Sequence, residues 1–209
     1  MPLQDEIFPV PDWTPPSGLC VLRAKTSLAS ELPEIDRLAS SAPFRRMQVP
    51  GGGMMSVETT SAGAVGWCSD RQGYRYTTHD PLTGRVWPSI PKSWTAFART
   101  MAEQAGFDGF EPDSCLINRY APGAKMGAHQ DADEQDFTQP IVSVSLGLAG
   151  TFVWLGPTRV GHGHPIDVRD GDVVVFGGPA RHGYHRVKTV RADPSGPAWR
   201  INLTFRRAQ

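Results

Sequence analysis

Hydrophobic and polar positions follow two different periods along the chain. In the second half, short runs of β-branched and other apolar residues are separated by Gly, Pro and Asp turns, which is typical of β-strands. The predicted strands cover 114–120, 140–148, 151–155, 172–176 and 199–206. Short strands at this spacing predict a barrel or a jelly-roll sandwich, and they argue against a parallel sheet with crossover helices.

The first half predicts two helices with a hairpin-rich segment between them. Apolar residues recur at helical spacing over about 30–40, where Pro33 is acceptable only in the first turn, and over about 91–105. Between the helices, 43–87 contains short β-like runs that are broken by glycines and interleaved with tryptophan and tyrosine. The proline-rich opening, 8–18, is typical of an extended arm.

Composition and the N-terminal sequence argue against a membrane-spanning protein and against a secreted one. With 39% hydrophobic and 20% charged residues, the chain is typical of a globular protein, and no apolar stretch approaches the roughly 20 residues of a membrane span. Residues 1–13 lack the basic and apolar regions of a signal peptide, so we expect a cytoplasmic protein. Cys20, Cys68 and Cys115 lie far apart without a CxxC pair, which disfavours a disulfide framework and a structural zinc site.

Charge is distributed unevenly although the formal net charge is zero. A net charge of zero argues, on its own, against a nucleic-acid partner. However, 141–209 contains nine Lys or Arg against four acids, whereas 111–140 contains six acids against two bases. Such a dipole could place a basic face beside an acidic pocket, so a nucleic-acid partner stays open.

The first chemical motif is His129-Gln130-Asp131. Residues two apart on an extended segment point to the same side, so His129 and Asp131 can converge on one point. A further histidine, His185, follows the predicted strand 172–176 and its glycine-rich turn. Two histidines and one carboxylate on one face of a metal form the facial triad of non-haem iron oxygenases, which leaves positions open for other ligands. For so short a motif, a chance surface pair is the alternative.

The second motif is the alternating strand 200–206. Its apolar residues share one face, and the opposite face carries Arg200, Asn202, Thr204 and Arg206. Two arginines on an inward face require an anion, and a dicarboxylate bound by guanidinium groups meets that requirement. An edge strand with a solvated charged face is the alternative.

Asn118 and Tyr120 form a third motif within the run 116–125. They share a strand face, and their amide and phenol groups can orient a carboxylate in a mostly apolar barrel. A turn-forming Asn and a strand-end Tyr are an equally simple interpretation.

In their order and spacing these motifs resemble the AlkB family of nucleic-acid demethylases. The matching segments are 116–125, 129–131, 141–147, 171–175, His185 and 200–206, and upstream 43–45, 50–51, 55–56, 66–67, 71–74 and 87–88. The resemblance implies a mostly β (α+β) fold, with a double-stranded β-helix (jelly roll) core, flanking N-terminal helices and a hairpin-rich nucleotide-recognition lid. It implies one catalytic domain, 1–209, with the arm, first helix and lid in about 1–90 and the supporting helix and jelly roll in about 91–209.

The resemblance also implies an iron(II)- and 2-oxoglutarate-dependent dioxygenase that repairs DNA by oxidative dealkylation of 1-methyladenine and 3-methylcytosine. The metal and catalytic residues would be His129, Asp131 and His185, and Arg200 would bind the distal carboxylate of 2-oxoglutarate. Four more residues would help to bind this co-substrate: Asn118, Tyr120, Asn202 and Arg206. The reaction would consume dioxygen and release carbon dioxide, succinate and formaldehyde.

Four residues are implied as substrate contacts. Trp67 resembles the family aromatic that stacks on the flipped base, and Tyr74 resembles a contact on the phosphate side. Asp133 matches a position that faces the exocyclic amine, and its charge would favour cationic methylated bases over neutral ones. Alternatively, Asp133 belongs to a solvated acidic run, 133–136. Arg159 resembles a phosphate or base-edge contact, with a solvated loop arginine as the alternative.

Other small and histidine residues are expected outside the metal site. His162 and His164 imitate a metal pair but are expected in a solvated loop, and His182 is expected beside the site or exposed. Small residues at 127–128 and at Gly183 are expected to leave the pocket wall incompletely filled, so the size range of the alkyl group stays open.

Three other functions fit parts of the sequence. A zinc hydrolase could use the same two histidines and aspartate, but it would not explain the polar face of 200–206. A β-barrel binding module without metal is disfavoured by the intact triad. A dioxygenase of the same fold that acts on RNA, a protein or a small molecule is the closest alternative. We expect alkylated single- or double-stranded DNA as the partner, RNA as a further candidate, no membrane association and a monomer.

Overall fold

The computed structural model describes residues 14–209, so most of the expected arm at 8–18 lies outside the described residues. In this part of the chain the helices are α1 (Leu28–Ser41) and α2 (Lys92–Gln104), and a 3-10 turn covers Gly178–Ala180. The strands are β1 (Leu19–Leu22), β2 (Arg45–Gln48), β3 (Met54–Gly63), β4 (Gly66–Asp70), β5 (Gly73–Thr77), β6 (Ser114–Tyr120), β7 (Met126–His129), β8 (Ile141–Gly147), β9 (Gly150–Gly156), β10 (His164–Val168), β11 (Val173–Phe176), β12 (Tyr184–Val187) and β13 (Arg200–Arg206).

These strands form two main sheets and a separate hairpin. The larger sheet has seven strands in the order β1-β11-β8-β13-β6-β3-β2, and the smaller has four in the order β10-β9-β12-β7. β4 and β5 form a two-stranded sheet of their own. Phe152 and Trp154 of the smaller sheet pack against Val174 and Phe176 of the larger one, so the two sheets face each other. The mostly β, jelly-roll fold class is therefore confirmed.

Both helices pack on the outer face of the larger sheet. Ile35 and Leu38 of α1, together with Trp94, Ala98 and Met101 of α2, are buried against the apolar side of β13. The polar side of β13 points between the sheets, where it lines a cavity. Because β13 lies centrally between β8 and β6, the alternative of a solvated edge strand is wrong.

Helix α1 begins before the predicted residue 30. Ser27 caps it by accepting a hydrogen bond from the Ser30 backbone N–H at 3.3 Å. The earlier start puts Pro33 in the second turn, so the expectation that confined this proline to the first turn was wrong. Pro33 removes one backbone hydrogen bond, but the buried Ile35 and Leu38 still anchor the helix to the core.

Four strands are not predicted by the sequence pattern, namely β1, β7, β10 and β12. All are four or five residues long, and β7 contains Gly127 and Ala128, residues that do not mark a strand. β10 begins at His164, which corrects the expectation of a loop for that residue, whereas the exposed His162 does lie in a loop.

Much of the predicted lid belongs to the larger sheet. β3 pairs with β6, and β2 pairs with β3. Within the described part of the first 90 residues, those that line the interior cavity come from the β2–β3 and β4–β5 hairpins. The division of the domain near residue 90 stays a prediction. Neither helix of the described chain has the length and apolarity to cross a membrane.

Candidate active site

His129, Asp131 and His185 come together between the two sheets. His129 ends β7, His185 lies on β12, and the two are directly opposite in the antiparallel register. His129 Nε2 lies 3.9 Å from Asp131 Oδ1, and His185 Nε2 lies 3.8 Å from Asp131 Oδ2. One ligand atom from each residue falls within 4.8 Å of the others. The three side chains can therefore bind a single metal ion from one side.

Backbone carbonyls fix the tautomers of both histidines. His129 Nδ1 lies 2.8 Å from the Gly127 carbonyl oxygen, and His185 Nδ1 lies 3.1 Å from the Gly183 carbonyl oxygen. Each Nδ1 therefore carries the proton, and each Nε2 presents its lone pair. Burial lowers the pKa of His185 to about 4, so its ring is neutral near pH 7, as a metal ligand must be.

Arg206 holds the carboxylate of Asp131. Its Nη2 donates to Asp131 Oδ1 at 2.8 Å, and both side chains are buried. Burial alone would raise the pKa of Asp131, but Arg206, His185 and His129 together lower it below its usual value. The carboxylate is therefore ionised, which is the state in which it can bind a divalent cation.

Arg200 lies at the other end of the same strand face. It is 2% exposed, its Nη2 donates to Ser145 Oγ at 2.9 Å, and its guanidinium lies 4.9 Å from the centre of the Tyr120 ring. Among the described residues its Nε and Nη1 have no hydrogen-bond partner. Burial lowers the pKa of Arg200, yet a guanidinium remains protonated near neutral pH. A buried cation with two unpartnered donor atoms requires an anion.

The two arginines of β13 serve different ends of the cavity. Arg200 and Arg206 are six residues apart, which is about 20 Å between Cα atoms along an extended strand. The structure therefore places Arg206 beside Asp131 and does not bring it to Arg200. Gly150 makes room for Arg200, because a Cβ at this position would lie 2.6 Å from Arg200 Nε. Any side chain at Gly150 would displace the guanidinium.

Amide and phenol groups line the wall beside Arg200. In the β13–β6 register Asn202 is directly opposite Asn118, and Arg200 is directly opposite Tyr120. Asn202 Oδ1 accepts from Thr204 Oγ1 at 2.9 Å, while the buried Asn118 Oδ1 has no partner within the described chain. The predicted co-substrate residues therefore form one continuous polar wall, except that Arg206 lies at the metal end.

The remaining predicted residues meet at the mouth of the cavity. The rings of Trp67 and Tyr74 are stacked, with centroids 5.5 Å apart and planes inclined by 18°. Trp67 Nε1 donates to Asp133 Oδ2 at 2.8 Å, so Asp133 is more than one acid of a solvated run. Arg159 is exposed in the loop after β9, and its Nε donates to the Ala128 carbonyl at 3.3 Å. All twelve predicted site residues line one open cavity of about 710 Å³.

Comparison with known proteins identifies the family to which the chain belongs. The family model of the 2OG-Fe(II) oxygenase superfamily matches residues 18–206. The chain is 46% identical over 202 residues to the alpha-ketoglutarate-dependent dioxygenase AlkB of Salmonella typhimurium, with 94% of each chain covered. It is 45% identical over 202 residues to the same-named protein of Escherichia coli, again with 94% of each chain covered. The chain belongs to the AlkB family.

As a member of the AlkB family, the protein is an iron(II)- and 2-oxoglutarate-dependent dioxygenase, which confirms the enzyme class expected from the sequence. The solved structure of OsALKBH1 is also similar, with a TM-score of 0.78 at 24% identity over 93% of this chain and 99% of that chain. This likeness confirms the fold.

The residues of the cavity fit the two groups that AlkB-family dioxygenases use. Two histidines and one ionised carboxylate match the facial triad of iron(II) oxygenases. The two unpartnered donor atoms of Arg200 match a carboxylate group. A zinc hydrolase would leave this buried cation without an anion, and the family membership contradicts that alternative.

Four neighbours of the site are missing from the sequence prediction: Tyr76, Glu134, Arg181 and Ser145. Glu134, expected in a solvated acidic run, is 5% exposed and pairs with Arg181 at 2.9 Å. Strand alternation along β8 could have identified Ser145 as a residue that faces the cavity. No pattern in the sequence indicates that Glu134 turns inward while Asp133 stays at the surface.

The small residues of the wall behave differently from one another. An added Cβ at Gly127 would meet nothing within 4 Å, so the wall is open there. At Gly183, however, a Cβ would lie 1.8 Å from the Trp154 ring. The expectation of unfilled space is therefore wrong at Gly183, because the indole of Trp154 occupies it.

Proposed function

We propose that this AlkB-family dioxygenase repairs DNA by removing N-alkyl groups from 1-methyladenine and 3-methylcytosine, with RNA that carries the same lesions as a second substrate. One observation carries the proposal: Trp67, which stacks on Tyr74 and donates a hydrogen bond to Asp133, lines the same cavity as His129, Asp131 and His185. Aromatic faces stack on bases of any sequence, and a carboxylate beside them favours a cationic base.

At the metal end, we assign iron(II) to His129, Asp131 and His185. Arg206 keeps Asp131 ionised and oriented, since it donates to Oδ1 of that carboxylate. Both histidines are held by backbone carbonyls, so their rings cannot turn away without the loss of a hydrogen bond. This preorganisation is what allows three side chains to hold a metal and leave other positions open.

At the far end, Arg200 binds the distal carboxylate of 2-oxoglutarate. Three residues orient the rest of the co-substrate: Asn118, Tyr120 and Asn202. Bound iron(II) and 2-oxoglutarate supply the oxidation, in which dioxygen hydroxylates the N-alkyl carbon, 2-oxoglutarate becomes succinate and carbon dioxide, and the adduct releases formaldehyde. The protein contributes position and a dry site, because the guanidinium and the wall around it are buried.

At the mouth, the residues hold a base that has left its stack. A base must be extruded before it can reach a buried site, and extrusion costs least from single strands and from damaged pairs. Trp67 stacks on the extruded base, and Asp133 faces its cationic edge. Tyr74 and Arg159, both exposed, contact the phosphate side. Because Trp67 donates a hydrogen bond to Asp133, the indole ring and the carboxylate are presented to the base together.

Four finer points stay predictions from the sequence. They are a single catalytic unit over 1–209, a monomeric state, a cytoplasmic location, and single- or double-stranded DNA as the substrate.

One assay tests the proposed function. The protein is incubated with iron(II), 2-oxoglutarate and oligonucleotides that carry 1-methyladenine or 3-methylcytosine, as single-stranded DNA, duplex DNA and RNA. We expect formaldehyde release and the loss of one methylene mass from DNA, and neither with unmodified oligonucleotides or the Asp131→Ala variant. Succinate production that no methylated oligonucleotide stimulates would refute the nucleic-acid assignment.

A further inference from the structure

A hydrogen-bonded chain joins the β4–β5 hairpin to the metal-binding carboxylate, through a residue that the proposed function does not use. Tyr76 lies on β5 directly opposite Trp67, so both side chains are on the same face of the hairpin. The Tyr76 hydroxyl donates to Glu134 Oε1 at 2.6 Å and accepts from Arg206 Nη1 at 3.2 Å. Arg206 in turn donates to Asp131 Oδ1 at 2.8 Å. The Arg206 side chain therefore links Tyr76 of the hairpin directly to Asp131, the proposed metal ligand.

This hydrogen-bonded network is largely buried, and it is anchored on the side away from the hairpin. Glu134 pairs with Arg181, and the side chains of both are 1% exposed. Arg181 also donates to the backbone carbonyl of Asp131. Asp131 is therefore held at its side chain by Arg206 and at its main chain by Arg181, and both paths meet at the Tyr76 hydroxyl and its partner Glu134. In such a dry network, the loss of one bond leaves a buried group unsatisfied.

The opposite face of the hairpin is held independently. Cys68 packs with Ala42 and Trp87, and Trp87 Nε1 donates to the Thr77 carbonyl at 2.9 Å. The Thr77 hydroxyl donates to the His79 carbonyl at 2.8 Å. These contacts do not include Arg206 or Glu134, so the Tyr76 hydroxyl can be removed while the hairpin keeps its attachment to the rest of the protein.

We propose that Tyr76 is a positioning residue that couples the base-binding hairpin to the metal-binding carboxylate, so that the place of the hairpin and the orientation of Asp131 are set together. The role of the base rests on the proposed function, whereas the coupling itself does not require nucleic acid. Because coupling between two sites is reciprocal, metal at Asp131 steadies the hairpin, and a base against the hairpin steadies the metal site. The coupling thereby favours oxidation when a base is bound against the hairpin.

Hydrogen exchange tests the coupling from metal to hairpin in the absence of nucleic acid. Exchange of the amides in 66–77 is measured in metal-free protein and after addition of Co(II) and 2-oxoglutarate. We expect the additions to slow exchange at least about fivefold in the parent protein, the low end of typical coupling, and to have little effect in Tyr76→Phe. Thr77→Val removes a hydroxyl from the other face of the same hairpin and should respond like the parent.

For each variant, the exchange rate with Co(II) and 2-oxoglutarate is compared with the rate of the same variant without them. A general loss of stability therefore affects both rates and cancels from their ratio. An equal slowing in Tyr76→Phe and in the parent would overturn the coupling. So would an equal loss of the response in Tyr76→Phe and Thr77→Val, because the hydroxyl on the far face does not touch Arg206.

Product stoichiometry tests the coupling from base to metal. With a 1-methyladenine oligonucleotide, the parent and Thr77→Val should release succinate and formaldehyde in nearly equal amounts. Tyr76→Phe should release severalfold more succinate than formaldehyde, with kcat for demethylation reduced more than KM for the oligonucleotide is raised. An unchanged product ratio would contradict the proposal. If the parent demethylates no oligonucleotide, the proposed function fails, and the exchange experiment still decides the coupling.

Discussion

The inner end of the cavity, meaning the metal-binding residues together with the wall around Arg200, is built differently from the mouth. At the inner end, Arg200 and His185 lie on strands of the two main sheets, where the pairing register fixes their neighbours. At the mouth, Trp67 and Tyr74 lie on a hairpin whose strands pair only with each other within the described chain, so side-chain packing and hydrogen bonds attach it to the rest of the protein. The difference teaches that most groups needed for chemistry are held by regular pairing, with Asp131 held by buried arginines, while groups needed for recognition are held by contacts that can yield to the shape of a substrate.

The largest effect is expected at the inner end. His185→Ala removes one of three protein ligands, so the affinity for iron(II) should fall at least about 100-fold, since even a supporting residue can cost that much. Turnover should be abolished, and His129→Ala and Asp131→Ala should behave in the same way. Metal titration and formaldehyde release provide the measurements.

His182→Ala is the matched control for His185→Ala. His182 is exposed, and its ring lies 4.9 Å from Phe137. This variant should bind iron(II) and turn over like the parent. If His185→Ala kept full iron affinity, the assignment of the metal to His129, Asp131 and His185 would be wrong.

The next effect concerns the co-substrate. Arg200→Ala should leave the distal carboxylate without its buried charged partner, at a cost of roughly 2–5 kcal/mol. The KM for 2-oxoglutarate should therefore rise at least about tenfold, while the affinity for DNA changes little. Steady-state kinetics and DNA titration on one preparation measure both. Arg191→Ala, at an exposed position, should leave the KM unchanged, and an unchanged KM in Arg200→Ala would mean that its unpartnered donors do not serve the co-substrate.

A smaller loss is expected at the mouth. Trp67→Ala should remove about 1–3 kcal/mol of base stacking, which is roughly a 5- to 150-fold fall in kcat/KM on methylated oligonucleotides. Iron binding and the slow decarboxylation of 2-oxoglutarate without substrate should persist, because the inner end does not depend on the indole. Trp199→Ala, at a tryptophan stacked on Arg119, is the control. A Trp67→Ala protein that melts early and loses every activity in parallel would show that the indole is part of the core.

The smallest effect should be one of selectivity. Asp133→Asn keeps the shape of the side chain and removes its charge, and exposed charge pairs contribute about 0.2–1 kcal/mol. The efficiency on cationic 1-methyladenine should fall up to about fivefold relative to that on neutral ethenoadenine. Asp136→Asn, whose carboxylate accepts from Thr138, should leave the ratio alone. Equal losses on both lesions would remove Asp133 from the recognition of charge.

Sequence alone predicts the inner end well. The family, fold class, enzyme class and cofactors expected from the motifs are confirmed. Alternation along β13 places Arg200 and Asn202 on the cavity side because that information is local to seven residues. Strands β7 and β12 carry two of the metal-binding residues, yet they are too short and too poor in β-branched residues to be recognised from their pattern.

The sequence does not predict which side chains pair with the buried charged residues. Arg206 and Asp131 are 75 residues apart, and Tyr76 and Glu134 are 58 residues apart. Whether Glu134 or Asp133 turns inward depends on how the sheets pack around them, since neighbouring acids in a loop have the same local pattern. The placement of Arg206 at the metal end, away from Arg200, follows from the same long-range packing.

Strand β1 has a consequence for any change to the N-terminus. It covers one side of β11, whose four residues, Val173–Phe176, are all buried and apolar. Without Leu19–Leu22, the larger sheet would end on four consecutive hydrophobic residues with unpaired backbone groups, an edge onto which another chain can add. A truncation that passes β1 would thus turn a protected sheet into a template for self-association.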